Sequence, residues 1–276
     1  MNDYFGKNLL RLRKEQKLTQ EQLAERLGIS PQSISKWENS QGYPDMELLP
    51  RVAAEFSVSI DTLLGYHPER SASTHYEDKY QDPDYYWGND VWSVCYDVMK
   101  LMPPVRPLRL LDAGCGEGQA AVFFAKNGYQ VSAFDLAVSG IEKGRRLAQL
   151  HHADVDFFRG DLRDYRMNFW QKADFDIVYS SGVLQYIPPQ DRREVIENLK
   201  AHTANGGIHV LNVFVEKPFV PTPPDWEANE YFWRSGELMG YYHDWKLEHL
   251  EEKIFDCDSS GIPHQHCMDV LIARKI

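Results

Sequence analysis

Residues 110–118 read LLDAGCGEG, and this stretch decides the fold of the larger part of the chain. An apolar run ends on Asp112. Gly114, Gly116 and Gly118 follow, and then the amphipathic segment QAAVFFAKNG. A strand that turns on glycines into a helix brings bare backbone N–H groups up to a ligand at the helix N-terminus. The spacing is G-x-G-x-G, not the G-x-G-x-x-G of dinucleotide-binding turns. An acidic group at the position of Asp112 repels a pyrophosphate and suits a ligand with positive charge. Asp135 closes the next strand-like run, QVSAFD, where a carboxylate can take both hydroxyls of a ribose.

Around this turn, strand-like and helix-like runs alternate from about residue 91 onward. QVSAFD, VDFFRGD, FDIVYSSG and GIHVLNVFV read as strands; GIEKGRRLAQLHH and RREVIENLKAHT read as helices. Such alternation predicts an α/β domain over 91–276, with a doubly wound, mostly parallel sheet. Residues 67–90 are polar and aromatic without periodicity. They read as a linker grading into a possible active-site lid.

Residues 1–66 differ. Leu9, Leu12, Leu23, Leu27, Ile34, Trp37, Val52, Phe56 and Leu63 recur at helical spacing. Thr19 with Gln22, and Ser30 with Pro31, mark helix starts; Gly28 marks a stop, and Asp45 and Ser59 look like further caps. The segment TQEQLAERLGISPQSISKWENS is a helix-turn-helix pattern, and residues 5–66 resemble the lambda-repressor-like, xenobiotic-response-element type of DNA-binding domain. The resemblance implies five short helices and an all-α domain that binds operator DNA, usually as a homodimer. Ile34 and Trp37 are expected to face the core, leaving Gln32, Ser33, Ser35 and Lys36 for bases and phosphates. Gln20 is expected near a phosphate at a helix N-terminus, with Arg11, Arg13, Lys14 and Lys17 adding charge. Acidic residues slightly outnumber basic ones here, so binding would rest on a local basic face.

The larger domain resembles class I S-adenosylmethionine methyltransferases. The glycine turn, Asp135, the Gly160-Asp161 pair and FDIVYSSGVLQYI carry the resemblance. It implies S-adenosyl-L-methionine as cofactor. Asp112, Gly114, Cys115, Gly116 and Gly118 would line the methionine end, Asp135 the ribose, and Leu136, Gly160, Asp161 and Leu162 the adenine. Ser180, Ser181 and Gly182 would form the far wall, and Tyr76 and Tyr80 would close over the cofactor. A nicotinamide-binding fold is the lesser alternative. More closely, residues 76–276 resemble the tellurite-resistance methyltransferases through Tyr76–Tyr80, the glycine turn, YFWRSGELMGYYHDW and the closing VLIARK. That implies methyl transfer to a small, soft nucleophile such as a thiol or a chalcogen oxyanion.

DNA methylation is not expected. The place of the D/N/S-P-P-Y/F motif of amino-directed enzymes reads SSGVLQY, and no cysteine sits where a cytosine-attacking thiol would. Phe219, Trp226, Tyr231, Phe232 and Trp233 are expected to roof the acceptor, and Arg234 to draw in an anion. The tellurite family places a His-Arg pair and a further Arg in its last hairpin; Phe255, Asp256 and Pro263 stand there instead. Catalytic residues stay open, with His264, His266, Tyr80 and Arg234 as candidates. The spacing C-x6-H-x-H-C from Cys257 to Cys267 is no standard zinc spacing, so no metal is expected. The alternative reading is a repressor whose methyltransferase-like domain only senses S-adenosylmethionine or an effector.

Composition agrees with both halves. The chain has 276 residues, 43% hydrophobic and 26% charged, with net charge −11. That excludes a non-specific polyanion binder. Four scattered cysteines imply thiols in a reducing cytoplasm, and the sequence offers neither a membrane span nor a secretory signal.

Overall fold

The computed structural model describes residues 4–39, 41–56, 58, 60–64, 75–164, 174–224, 226, 230–257 and 262–276. The chain forms two compact units, Met1–Ala72 and Ser73–Ile276.

The first unit is helical: α1 (Tyr4–Glu15), α2 (Gln20–Leu27), α3 (Pro31–Glu38), α4 (Leu49–Glu55) and α5 (Ile60–Leu64). Thr19 and Gln22 form a reciprocal capping box on α2, and Gly28 ends it in the left-handed region at φ 69°. Ser30 caps α3, with Pro31 in its first turn. Asp45 accepts the Leu48 N–H at 2.8 Å, a turn before α4 begins. Ser59 lies outside the described residues. Ile34 and Trp37 are buried with Phe5, Leu9, Leu23, Leu27, Val52 and Leu63.

The second unit is a sheet of β1 (Arg109–Ala113), β2 (Gln130–Asp135), β3 (Val155–Arg159), β4 (Phe175–Ser180), β5 (Thr203–Phe214), β6 (Lys246–Cys257) and β7 (His264–Arg274). Its order is β3-β2-β1-β4-β5-β7-β6. The first five strands are parallel, and β7 runs antiparallel to β5. Alternate strand residues feed opposite cores, as a sheet covered on both faces requires. Leu110, Ile177 and Val210 pack with α7 (Val94–Leu101), α8 (Gln119–Lys126) and α9 (Val138–Leu150). Leu111, Val178 and Leu211 pack with α10 (Arg192–Ala201) and α11 (Glu237–Gly240). Strand order reverses direction between β1 and β4, and ligands of open α/β sheets bind at the carboxyl ends beside such a switch.

The polar stretch before β1 holds a helix that its composition did not suggest, α6 (His75–Lys79), and α6 belongs to the second unit. Residues 67–74 lie outside the described residues. β3 and β6 are the edge strands.

Gly118 has a packing role as well as a turn role. A Cβ there would stand 2.7 Å from Gly144 Cα and 2.9 Å from the Phe157 ring. A Cβ on Gly144 would meet the same ring at 2.7 Å. Bare backbone at both positions lets α8, α9 and β3 converge below the turn. Gly144→Val therefore overpacks this junction, and we expect it to cost about 2 kcal/mol of stability. A urea midpoint unchanged from wild type would show that the ring yields freely.

Candidate cofactor and acceptor site

The turn sits at the carboxyl end of β1. Gly114, Gly116 and Gly118 all adopt positive φ. A Cβ on Gly114 would collide with the Val183 side chain, and one on Gly116 would stand 3.0 Å from the Tyr80 hydroxyl. Cys115 is buried and its thiol is pushed well up by burial. Asp112 is 2% exposed. Its carboxylate is held on one side by the Ala121 backbone N–H in the first turn of α8. Its Oδ2 is buried and has no hydrogen-bond partner among the described residues. Burial, and next the charge of Asp135, push its pKa up to about 8. A buried, partnerless carboxylate oxygen beside a glycine cradle fits a ligand that brings positive charge and N–H donors.

Asp135 braces the same turn. Its Oδ2 accepts the Gly116 N–H and its Oδ1 the Ala137 N–H, both at 2.8 Å. Each oxygen has a further lone pair for a hydroxyl. Leu136 is half-buried, and its carbonyl accepts the Arg159 Nε at 3.2 Å. Gly160 donates to the Asp135 carbonyl at 3.0 Å. Asp161 is expected at the adenine, and its carboxylate pairs with Arg163 at 2.7 and 2.8 Å. Leu162 is packed into the core. Ser180 points inward and donates to the Ala113 carbonyl at 2.7 Å. Asn212 on β5 ties down the neighbouring wall, donating to the Ser181 hydroxyl at 2.7 Å and accepting the Gly182 N–H at 2.9 Å.

Two acidic groups that carry this arrangement escaped the sequence reading. Glu117 lies inside the turn, fully buried, in an ion pair of 2.7 Å with Lys143 on α9. The same carboxylate accepts the backbone N–H groups of Tyr86 and Trp87 at 3.1 and 3.2 Å, and Lys143 also donates to the Asp84 carbonyl. The stretch expected as a lid is thereby fastened onto the glycine turn. Glu77 on α6 accepts the Val138 and Ser139 N–H groups at 2.7 and 3.1 Å. It caps α9, whose own cap residue, Ala137, has no side chain to do so. That uncapped helix start was the available signal.

Above the turn the aromatics gather. Tyr80 is buried, stacks on Tyr76 at 5.4 Å and accepts the Trp87 indole N–H at 2.9 Å. Tyr76 also meets the rings of Tyr86, Trp87 and Tyr186 within 6.1 Å. In the stretch expected to roof the acceptor, Trp226 and Phe232 stack at 3.8 Å; Phe214 lies 5.9 Å from Trp226 and 4.6 Å from His266. Trp233 is a correction. It bridges backbone-to-backbone to Val215 and is 1% exposed, with Arg192 over its ring at 4.1 Å, so it is core and roofs nothing. Phe219 is 70% exposed. Tyr231 is half-buried and its N–H donates to the Gln185 carbonyl at 2.8 Å. Arg234 is exposed beside α11.

In the first unit, Gln32 and Lys36 are exposed, and Ser33 and Ser35 are half-buried. Gln20, expected near a phosphate, donates from its carboxamide to Glu38 at 2.7 Å. Arg13 pairs with the same carboxylate at 2.6 and 2.9 Å, a network that ties α1, α2 and α3 together.

A family model described as tellurite resistance protein TehB matches residues 76–261, and a helix-turn-helix model matches residues 9–63. The chain belongs to the TehB family. The probable S-adenosyl-L-methionine-dependent methyltransferase TehB of Haemophilus influenzae is 23% identical over 182 residues, 65% of this chain and 61% of that protein. The crystal structure of TehB from H. influenzae superposes with a TM-score of 0.60 at 20% identity, over 74% of this chain and 67% of the other. The helix-turn-helix segment is 53% identical over 60 residues to the HTH-type transcriptional activator BcrR of Enterococcus faecalis, 22% of this chain and 29% of that protein. The chain spans 58–61% of the length of three of the curated relatives that its larger unit matches. Among the described residues, no helix is long and apolar enough to cross a membrane.

The raised pKa of Asp112 gives a signed prediction. A buried carboxyl that titrates near 8, against about 4 when unfolded, destabilises the fold as it ionises. Stability should fall as pH rises from about 4 to about 8 on this account, and Asp112→Asn should remove the fall. Binding of a cationic ligand should instead strengthen as pH rises toward 8, as Asp112 ionises. Melting curves and calorimetry from about pH 4 to about pH 9 read both. An Asp112→Asn protein that binds as tightly as wild type would overturn the assignment.

Proposed function

We propose that this TehB-family chain binds S-adenosylmethionine over the glycine turn and transfers its methyl group to a small, soft nucleophile. The helix-turn-helix unit binds operator DNA, as a homodimer, in the cytoplasm. The observation that carries the enzymatic reading is the buried Oδ2 of Asp112, without a hydrogen-bond partner among the described residues, beside a turn whose glycines leave little or no room for a Cβ. Such an oxygen suits the ammonium end of the cofactor.

The bound cofactor supplies an electrophilic methyl on a sulfonium. Asp112 holds the amino group. Asp135, held by two backbone N–H groups, offers its remaining lone pairs to the ribose. Leu136 and the backbone of Gly160, Asp161 and Leu162 flank the adenine. Ring faces of Tyr76, Tyr80 and Trp87 favour positive charge and keep water away. A thiolate or chalcogen oxyanion needs little help from a base, so alignment and dryness supply the rate. Trp226, Phe232 and Phe214 offer a dry acceptor wall.

Phe255, Asp256 and Pro263 replace the oxyanion-handling residues that the resemblance implies, which favours thiols over tellurite. Incubating the full chain with methyl-labelled cofactor and a panel of thiols, selenite and tellurite tests this. Label in thiols first is the expected result, and no label in any acceptor would leave the sensor reading. Asp135→Ala should weaken cofactor binding by about 1.5–3 kcal/mol, the range of a charged hydrogen bond. For the first unit, Gln32→Ala with Lys36→Ala should weaken operator binding and lower the salt slope by about 1, with cofactor affinity unchanged.

A further inference from the structure

The β6–β7 hairpin brings together three side chains that the sequence leaves apart. Cys257 is the cross-strand partner of His264, and His266 lies two residues further along β7, on the same face. Their donor atoms all lie within 4.8 Å of one another. The Nε2 atoms of His264 and His266 stand 2.9 Å apart.

We propose that Cys257, His264 and His266 form a site for one divalent metal of the zinc class, with a fourth position left for an exogenous ligand. The register explains why the linear spacing is not that of a zinc finger: the ligands come from two paired strands instead of a knuckle and a helix. Around a zinc-like ion, with Zn–S about 2.3 Å and Zn–N about 2.0–2.1 Å, tetrahedral donors stand roughly 3–4 Å apart. Side-chain adjustments of an ångström or less bring these three into that range.

A second-sphere contact at His264 favours the same occupant. His264 Nδ1 lies 2.7 Å from the Ile262 carbonyl. A carbonyl only accepts, so Nδ1 carries the proton and Nε2 carries the lone pair. A backbone carbonyl on the second ring nitrogen is the usual outer partner of a ligating histidine. His266 is 7% exposed, with Phe214 and Phe255 against its ring at 4.6 and 5.5 Å. That packing fixes the ring and lowers the local dielectric. One thiol and two imidazoles select borderline and soft cations over magnesium and calcium. The nearby Asp256 carboxylate is engaged by Gln265 at 2.9 Å, and Cys267 is buried on the opposite side of the strand. Metal binding converts the Cys257 thiol to thiolate and releases its proton to solvent.

Cobalt(II) is the probe, because it reports coordination number and sulfur ligation by colour. Titrated into metal-stripped full-length protein, it should bind at one equivalent with intense tetrahedral bands and a thiolate-to-cobalt absorption. One equivalent of zinc should bleach both. Cys257→Ser should lose the thiolate band. His264→Gln and His266→Gln should each weaken zinc binding by at least about 100-fold, since loss of an outer-sphere partner alone costs up to about that much. Wild-type protein that takes up no stoichiometric cobalt, or a thiolate band that survives in Cys257→Ser, overturns the proposal. The wild-type titration decides by itself if a variant folds poorly, and melting curves identify that case.

Discussion

A carboxylate and an ammonium, Glu117 and Lys143, are buried together at the glycine turn of the larger unit, and the site depends on them. Removing either would strand a charge, at a cost of about 3–5 kcal/mol. Each partner does a second task. Glu117 gathers the N–H groups of Tyr86 and Trp87, and Lys143 takes the Asp84 carbonyl. The glycine turn, α9 and the aromatic stretch before β1 are joined through one ion pair. Tyr80 can then rest on Gly116, and a ligand on the turn would meet rings on its open side.

The fold was legible because a parallel sheet writes itself as apolar runs broken by glycine and helix patterns. LLDA, QVSAFD and FDIVYS read as strands and fold as strands. The all-α head was legible for a different reason: its helix ends are marked by side chains that act locally, Thr19, Gln22, Ser30 and Gly28. Local signals survive without knowledge of the tertiary structure.

What was not legible depended on long-range partners. Glu117 looks like one polar residue in a turn, and its meaning lies in Lys143 and the 84–87 backbone. Trp233 looks like a loop aromatic, and it is core because Val215 pairs with its backbone and Arg192 covers its ring. Arg13 and Gln20 are also held by a long-range partner, the Glu38 carboxylate, which no local pattern announces. The Cys257, His264 and His266 group follows from strand register, which spacing along the chain does not encode.

The sheet's outer strand, β6, carries a further consequence. A border strand leaves a row of amide and carbonyl groups open to any passing chain. β6 reads KLEHLEEKIFDC, dense in Glu and Lys. A neighbouring molecule that tried to extend the sheet there would have to bury those charges. Such a border discourages fibrous self-assembly even while the hairpin remains long and regular enough to hold its pairing.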